Sequence, residues 1–201
     1  MQLTWEDCQL AALQKMFSAG KTIDTDESTA DYIAAMPFAA NEAVQRIIAV
    51  RPKRSQVEVE AKPSEEEQSF DLQEIAYDFK NTGPLEVYSM TEGGAPVRLD
   101  ACRVVAGRYL VIPPVSKAVT IIFCYEPTVP LISYATKPGF PLPVDDDAAV
   151  LVPIYIAGEL YKEDDLGIST YYMNEFEDGL ALLKPKDTGS IANSFYSESG
   201  W

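Results

Sequence analysis

The sequence predicts an α+β protein in which N- and C-terminal segments form one discontinuous helical domain and an antiparallel β-sandwich or barrel-like domain is inserted between them. Apolar residues recur at helical spacing near both ends of the chain. The middle of the chain carries short runs of strand-like alternation separated by turn residues. Neither helical segment is long enough to bury its apolar stripe alone, so we expect the two to pack together.

The predicted boundaries follow from where these patterns change. The N-terminal helical part covers 1–54, the β insertion 55–143 and the C-terminal helical part 144–185. The remaining residues, 186–201, are rich in Ser, Gly and Asn and are expected to form a flexible tail.

The first segment contains the signals of two or three short helices. Thr4 and Asp7 have the spacing of a capping box, and a stripe of apolar residues follows them. Ser28 is expected to start a second helical stretch. Pro37 is expected to end that stretch and begin the next, because proline lacks the N–H that the helix interior needs. The last stripe stops at 51–52.

The middle segment begins with a two-residue repeat. Val57, Val59 and Ala61 alternate with polar residues, which predicts a half-buried strand. Further strand-like runs lie at 70–79, 85–90, 97–105, 109–112, 118–125 and 131–134.

The C-terminal segment is predicted to be helical again. The run Asp145–Asp147 suits the positive end of a helix dipole, and a kink or break is expected at Pro153. Acids at 163–165 are expected to cap a final helix that Pro185 ends.

Composition excludes several kinds of chemistry. The chain has 201 residues, a formal net charge of −15 and no histidine. It therefore has no His-dependent catalytic triad or dyad, no His-ligated zinc and no imidazole base. A strongly acidic chain is also unsuited to gripping nucleic acid by broad phosphate neutralisation. We expect a protein that is not an enzyme and that binds no cofactor or metal.

Two short motifs resemble catalytic or calcium-binding sequences, but each is incomplete. Ser18 and Lys21 match S-x-x-K, but they close a predicted exposed helix and lack partner motifs. Asp24, Asp26 and Ser28 match the first half of a calcium loop, which then lacks its glycine at the sixth position and its glutamate at the twelfth. Weak, unspecific binding of a divalent cation at Asp145–Asp147 stays open. The three scattered cysteines fit small buried hydrophobes in a reducing compartment.

Charge is concentrated near the end of the chain. Ten acids and one base, Lys162, lie between residues 145 and 178. A basic cluster sits where the first helical segment meets the β segment. These charges and the aromatic residues of the tail are the candidate contacts with an oligomer or partner. They are Arg51, Lys53, Arg54, Asp145, Asp146, Asp147, Asp164, Asp165, Phe195, Tyr196 and Trp201.

Two segments resemble proteins of known type. The first is 31–43, DYIAAMPFAANEA, which leads into an amphipathic helix. The second is 151–165, LVPIYIAGELYKEDD, followed by YMNEFE at 172–177. Together they resemble the head–tail connector or adaptor proteins of tailed bacteriophages, in which helices of this kind pack on the N-terminal helices. The resemblance covers the helical segments and not the β segment.

This resemblance implies a virion structural protein, a subunit of a ring that joins the portal to the tail. It implies a homo-oligomer that contacts portal and tail proteins and is assembled in the bacterial host cytoplasm. No membrane partner is expected, because the longest apolar runs, at 118–125 and 150–158, are too short to span a bilayer. The resemblance also implies passive passage of DNA without sequence-specific binding. An acidic channel wall is consistent with the negative charge of the chain.

Two alternatives of other classes stay open. A carbohydrate- or host-binding β-sandwich module of a phage tail or baseplate would use exposed aromatics, with Tyr88, Tyr109, Tyr125 and Tyr134 as the candidates. An acidic-cleft hydrolase would use paired carboxylates on either side of a cleft, which adjacency in sequence does not establish.

Overall fold

The computed structural model describes residues 2–17, 23, 29–80 and 86–183. The fold is mixed α+β with antiparallel sheets. The chain divides into two compact units. One, here called the helical unit, consists of the described residues within Met1–Pro52 and Ile132–Trp201. The other, here called the β unit, consists of those within Lys53–Leu131.

The helical unit contains five helices, with bounds as follows: α1 (Trp5–Phe17), α2 (Ala30–Val50), α4 (Asp146–Ala149), α5 (Val152–Leu160) and α6 (Leu166–Leu182). Among the described residues, no helix is both long and apolar enough to cross a bilayer. Helix α5 is the centre of the unit, because every residue from Val152 to Gly158 is buried. Helices α1, α2 and α6 each pack against it.

The predicted capping box at the start of α1 is confirmed. The Asp7 backbone N–H donates to Thr4 Oγ1 at 3.2 Å, and the Thr4 backbone N–H donates to Asp7 Oδ2 at 3.1 Å. The start of α1 and the residues before it also pair with a segment that follows the β unit, since Trp5 N–H donates to the Phe140 carbonyl at 2.8 Å and Leu142 N–H donates to the Leu3 carbonyl at 3.0 Å. Residues 132–143, placed in the β insertion by the predicted boundary, fall within the helical unit.

The predicted helix break at Pro37 is wrong. Helix α2 runs without interruption from Ala30 to Val50, and Pro37 lies inside it. Proline inside a helix costs about 3 kcal/mol. Met36, Ala40 and Ala43 are fully buried on this helix, and burying that apolar face offsets the lost hydrogen bond.

The C-terminal helices follow the predicted signals. The helical stretch after Asp145 breaks at residues 150–151, between α4 and α5, and Pro153 then lies in the first turn of α5. Asp165 caps α6, because its Oδ1 accepts hydrogen bonds from Gly167 N–H at 2.8 Å and Ile168 N–H at 3.0 Å. Helix α6 ends at Leu182, and the predicted stop at Pro185 lies outside the described residues.

Helices α5 and α6 approach closely at Gly158. A Cβ atom there would lie 3.2 Å from the backbone nitrogen of Met173. The buried Ser169 hydroxyl donates to the Gly158 carbonyl at 2.8 Å. The absence of a side chain at Gly158 therefore sets the spacing between these helices.

The β unit contains seven strands and one short helix: β1 (Ser55–Ala61), β2 (Gln68–Asp71), α3 (Leu72–Ile75), β3 (Glu86–Met90), β4 (Val97–Arg98), β5 (Arg103–Val105), β6 (Tyr109–Ile112) and β7 (Val119–Tyr125). They form a four-stranded sheet in the order β1-β7-β3-β4 and a three-stranded sheet in the order β2-β6-β5. All of the pairings are antiparallel.

One core cluster joins the two sheets. Phe123 on β7 lies opposite Val57 of β1 on one side and Val87 of β3 on the other. Leu110 and Ile112 of β6 belong to the same buried cluster. The alternation predicted for β1 is observed, with Gln56, Glu58 and Glu60 exposed.

Three strand predictions need correction. The run 97–105 forms two short strands, because β4 pairs with β3 in one sheet and β5 pairs with β6 in the other. The run 70–79 is only briefly extended, since Asp71 caps α3 by accepting from Gln73 N–H at 2.9 Å. Residues 131–134 form no strand, and the backbone of Ile132 instead binds both amide atoms of Asn41, at 2.8 and 2.9 Å.

Candidate interaction groove of the helical unit

The helical unit carries a surface groove of about 610 Å³ between the first half of α2 and the end of α5 with the turn that follows it. We call it the acidic groove. From α2 it is lined by Asp31, Tyr32, Ala35, Phe38, Ala39 and Glu42. From α5 and the turn it is lined by Glu159, Leu160, Lys162, Glu163 and Asp164.

The uninterrupted course of α2 builds one wall. Asp31, Ala35, Phe38 and Glu42 are spaced four, three and four residues apart, so they share one face of the helix. A helix that ended at Pro37 would separate the first two from the last two. The sequence prediction missed Phe38 and Glu42 for this reason, although the same spacing was a signal for them.

The groove is strongly negative. Five carboxylates and one amine line it. Lys162 pairs with Glu159, and the Tyr32 hydroxyl donates to Asp164. This hydrogen bond is the main reason that the pKa of Tyr32 is raised. Asp31 and Glu163 are both exposed, and neither forms an ion pair with another residue that the structure describes.

Two side chains, Arg46 and Tyr155, lie beside Glu42 at one end of the groove. Arg46 contacts Glu42 at 3.3 Å and Glu177 of α6 at 2.9 Å. Its guanidinium lies over the ring of Tyr155, 5.2 Å from the centroid. The neighbouring Tyr155 hydroxyl and then the Arg46 guanidinium lower the pKa of Glu42, and burial raises the pKa of Tyr155. Glu42 is therefore a fixed anion at neutral pH.

An exposed aromatic pair extends from the groove. Phe38 is 68% exposed and Tyr134 is 69% exposed. Their ring centroids are 6.1 Å apart in an edge-to-face arrangement. Since most large aromatic side chains are at least half buried, this pair is an apolar surface available to a partner.

Three of the predicted contact residues instead join two helices within the unit. Arg51 follows the end of α2, and its side chain is only 12% exposed. It contacts Asp145 at 3.3 Å and Asp147 at 2.6 Å, at the start of α4. The neighbouring Asp146 is exposed. This cluster stabilises the connection between α2 and α4, and its role in partner contact stays a prediction.

The other predicted contact residues are dispersed. Lys53 and Arg54 belong to the β unit, where Arg54 contacts Glu86 at 2.8 Å. Asp164 lies in the acidic groove, whereas Asp165 is used as the cap of α6. Phe195, Tyr196 and Trp201 lie outside the described residues, as does the predicted tail of 186–201.

The structure does not describe the residues of the two short chemical motifs. Ser18 with Lys21, and Asp24 with Asp26 and Ser28, lie outside the described residues. Within the described part of the chain, no three acidic or cysteine side chains are grouped so as to hold a metal ion. Cys8 is buried and Cys102 and Cys124 are half-buried, all as free thiols. Burial raises the pKa of Cys102 to about 11.

The four tyrosines considered for glycan binding are divided between the two units. Tyr88, Tyr109 and Tyr125 belong to the β unit and Tyr134 to the helical unit. Tyr125 stacks on Phe123 and donates to Asp78 at 2.8 Å, and burial is the main cause that raises its pKa to about 12. Tyr109 is 39% exposed, with the Arg108 guanidinium 5.2 Å from its ring centroid.

Comparisons of the sequence with known proteins add no assignment. A scan against protein-family models matched none of them. A search of curated proteins found no matching sequence.

Proposed function

We propose that this chain is a non-catalytic structural protein of a tailed-phage virion, a subunit of the head–tail connector ring between portal and tail. It is assembled in the host cytoplasm as a homo-oligomer. In this proposal the discontinuous helical unit is the assembly domain, and the β unit is an inserted antiparallel sandwich-like module.

The packing of the resemblance-bearing segments is the observation that supports this proposal most. The 31–43 segment lies on α2, the 151–165 segment covers α5 and the following turn, and the 172–177 segment lies on α6. Tyr155 of the second segment meets Phe176 of the third edge-to-face, with ring centroids 4.8 Å apart. These motif residues thus serve the core of one helical unit, as expected of an assembly domain that carries no reaction.

The distribution of exposed acids also supports the proposal. Asp146, Asp147, Glu163, Asp164, Glu177 and Asp178 are all exposed in the helical unit. A surface rich in exposed carboxylates repels the DNA backbone and so allows DNA to pass without being retained. The same surface is suited to basic regions of portal or tail proteins.

Electron microscopy with a portal protein tests the proposal. The purified full chain is mixed with the portal protein encoded in the same genome and imaged in negative stain. We expect ring-shaped particles in which the chain caps one end of the portal. Portal particles that stay unchanged at excess chain would contradict the connector role.

The second candidate is the glycan- or host-binding β module. It is favoured by the exposed Tyr109 beside Arg108, since a ring with an adjacent guanidinium provides stacking and hydrogen-bond donors for a sugar. A glycan array probed with the full chain and with Tyr109→Ala discriminates the two candidates. Saturable binding that the substitution abolishes would favour the module over the connector.

A further inference from the structure

We infer that the acidic groove, with the Phe38–Tyr134 pair beside it, is a docking site for a basic amphipathic segment of a partner protein, one that presents Lys or Arg side chains next to an apolar anchor. This inference goes beyond the proposed function, because it concerns a site and its ligand chemistry whatever assembly the chain joins. Three features of the groove carry it.

The first feature is an apolar surface that none of the described residues covers. Ala35, Phe38 and Leu160 line the groove, and Phe38 is 68% exposed. Tyr134 contacts Phe38 but is itself 69% exposed, so the pair covers neither ring. A volume of about 610 Å³ is within the usual size of ligand sites. An aliphatic or aromatic anchor is the complement of such a surface.

The second feature is the sign of the charge around that surface. Of the residues that the structure describes, Lys162 is the one basic side chain lining the groove, and Glu159 already pairs with it. Asp31 and Glu163 line the groove without an ion pair to any described residue. Since opposite charge both attracts and orients a partner, Lys or Arg is the complement of these carboxylates.

The third feature is that the groove is held in shape before binding. Arg46 ties Glu42 to α6 through Glu177, and Tyr32 ties α2 to the turn through Asp164. The two walls also belong to helices α2 and α5, which pack against each other without a ligand. A pre-formed site loses less free energy to ordering on binding than a mobile one.

Peptide binding to the full-length chain tests the inference. The probe is a fluorescently labelled peptide of leucine and lysine in helical periodicity, and its control has glutamate in place of every lysine. Fluorescence anisotropy is expected to show saturable binding of the lysine peptide that weakens with added salt, and none of the glutamate peptide. Absence of saturable binding, or equal binding of both peptides, would overturn the inference.

Matched variants locate the binding. Asp31→Asn with Glu163→Gln is expected to weaken the lysine peptide about fivefold, and Phe38→Ala about tenfold. The controls are Glu58→Gln with Glu60→Gln, which makes the same change in charge on β1, and Tyr77→Ala, which removes a ring that is 88% exposed in the β unit. Circular dichroism checks that each variant is folded. If the controls weaken binding as much as the groove variants do, the peptide is responding only to net charge, and the inference is wrong.

Discussion

The helical unit and the β unit differ in how many apolar side chains each one buries in its own core. Eight buried apolar residues form the core cluster of the β unit, whereas 23 of the buried apolar residues that the structure describes belong to the helical unit. Strands of the β unit are as short as two residues, as in β4. The difference indicates that the helical unit is the rigid scaffold and that the β unit is the more easily unfolded part.

Truncating Phe123 is expected to have the largest effect. This side chain is fully buried, stacks on Tyr125 and lies 5.4 Å from the ring of Phe79. Phe123→Ala is predicted to cost about 3–5 kcal/mol of unfolding free energy, a large share of the stability of a small domain. Hydrogen exchange should show lost protection in the β unit and retained protection in α5. Equal loss of protection in both units would show that the β unit is not the less stable of the two.

Adding a side chain at Gly158 is expected to have the next largest effect, on the helical unit. Because a Cβ atom there meets the Met173 backbone, Gly158→Val is predicted to destabilise by about 2–3 kcal/mol. Gly139→Val is the control, since nothing lies within 4 Å of a Cβ atom at that position. Denaturant unfolding followed by helical circular dichroism measures both. Similar midpoints for the two variants would contradict the close packing of α5 and α6.

Removal of the Arg51 side chain is expected to have an intermediate effect. The guanidinium is nearly buried and joins α2 to Asp145 and Asp147, so Arg51→Ala is predicted to cost about 1–2 kcal/mol. The control is Arg103→Ala, whose pair with Glu67 is about half exposed and should matter little. Thermal unfolding compares the two. If Arg103→Ala lowered the stability as much as Arg51→Ala does, burial would not determine how strongly these two ion pairs stabilise the fold.

The smallest expected effect is a change in pH dependence. Hydrogen bonds from Thr4 lower the pKa of Asp7, the side-chain bond more than the backbone one. A lowered folded-state pKa stabilises the fold above the unfolded value near 3.8 and loses that stability as the pH falls through the folded value. Asp7→Asn should therefore flatten the fall in stability as the pH drops below about 4. Unfolding curves at several pH values measure this, and parallel profiles for wild type and Asp7→Asn would contradict it.

Features set by neighbours in the sequence could be predicted. The Thr4–Asp7 capping box, the alternation of β1 and the Asp165 cap of α6 all depend on residues a few positions apart. The residues that determine each of these features lie within the feature itself. For the same reason the break between α4 and α5 near Pro153 was predictable.

Features set by distant residues could not be predicted. Pro37 stays inside α2 because of the apolar face that this helix buries, and 131–134 is not a strand because Asn41 binds the Ile132 backbone. The acidic groove depends on both an unbroken α2 and the turn after α5, which lie more than a hundred residues apart. Periodicity identified the helices but not which of their exposed faces would come together.

The mass of the chain in solution with its portal tests the proposed connector role most directly. Light scattering coupled to gel filtration is run on the full 22.2 kDa chain alone over a range of concentrations, and then with portal added. We expect concentration-dependent oligomers or a portal complex whose mass fits a closed ring of subunits. A strict monomer at every concentration, with no change when portal is added, would contradict it.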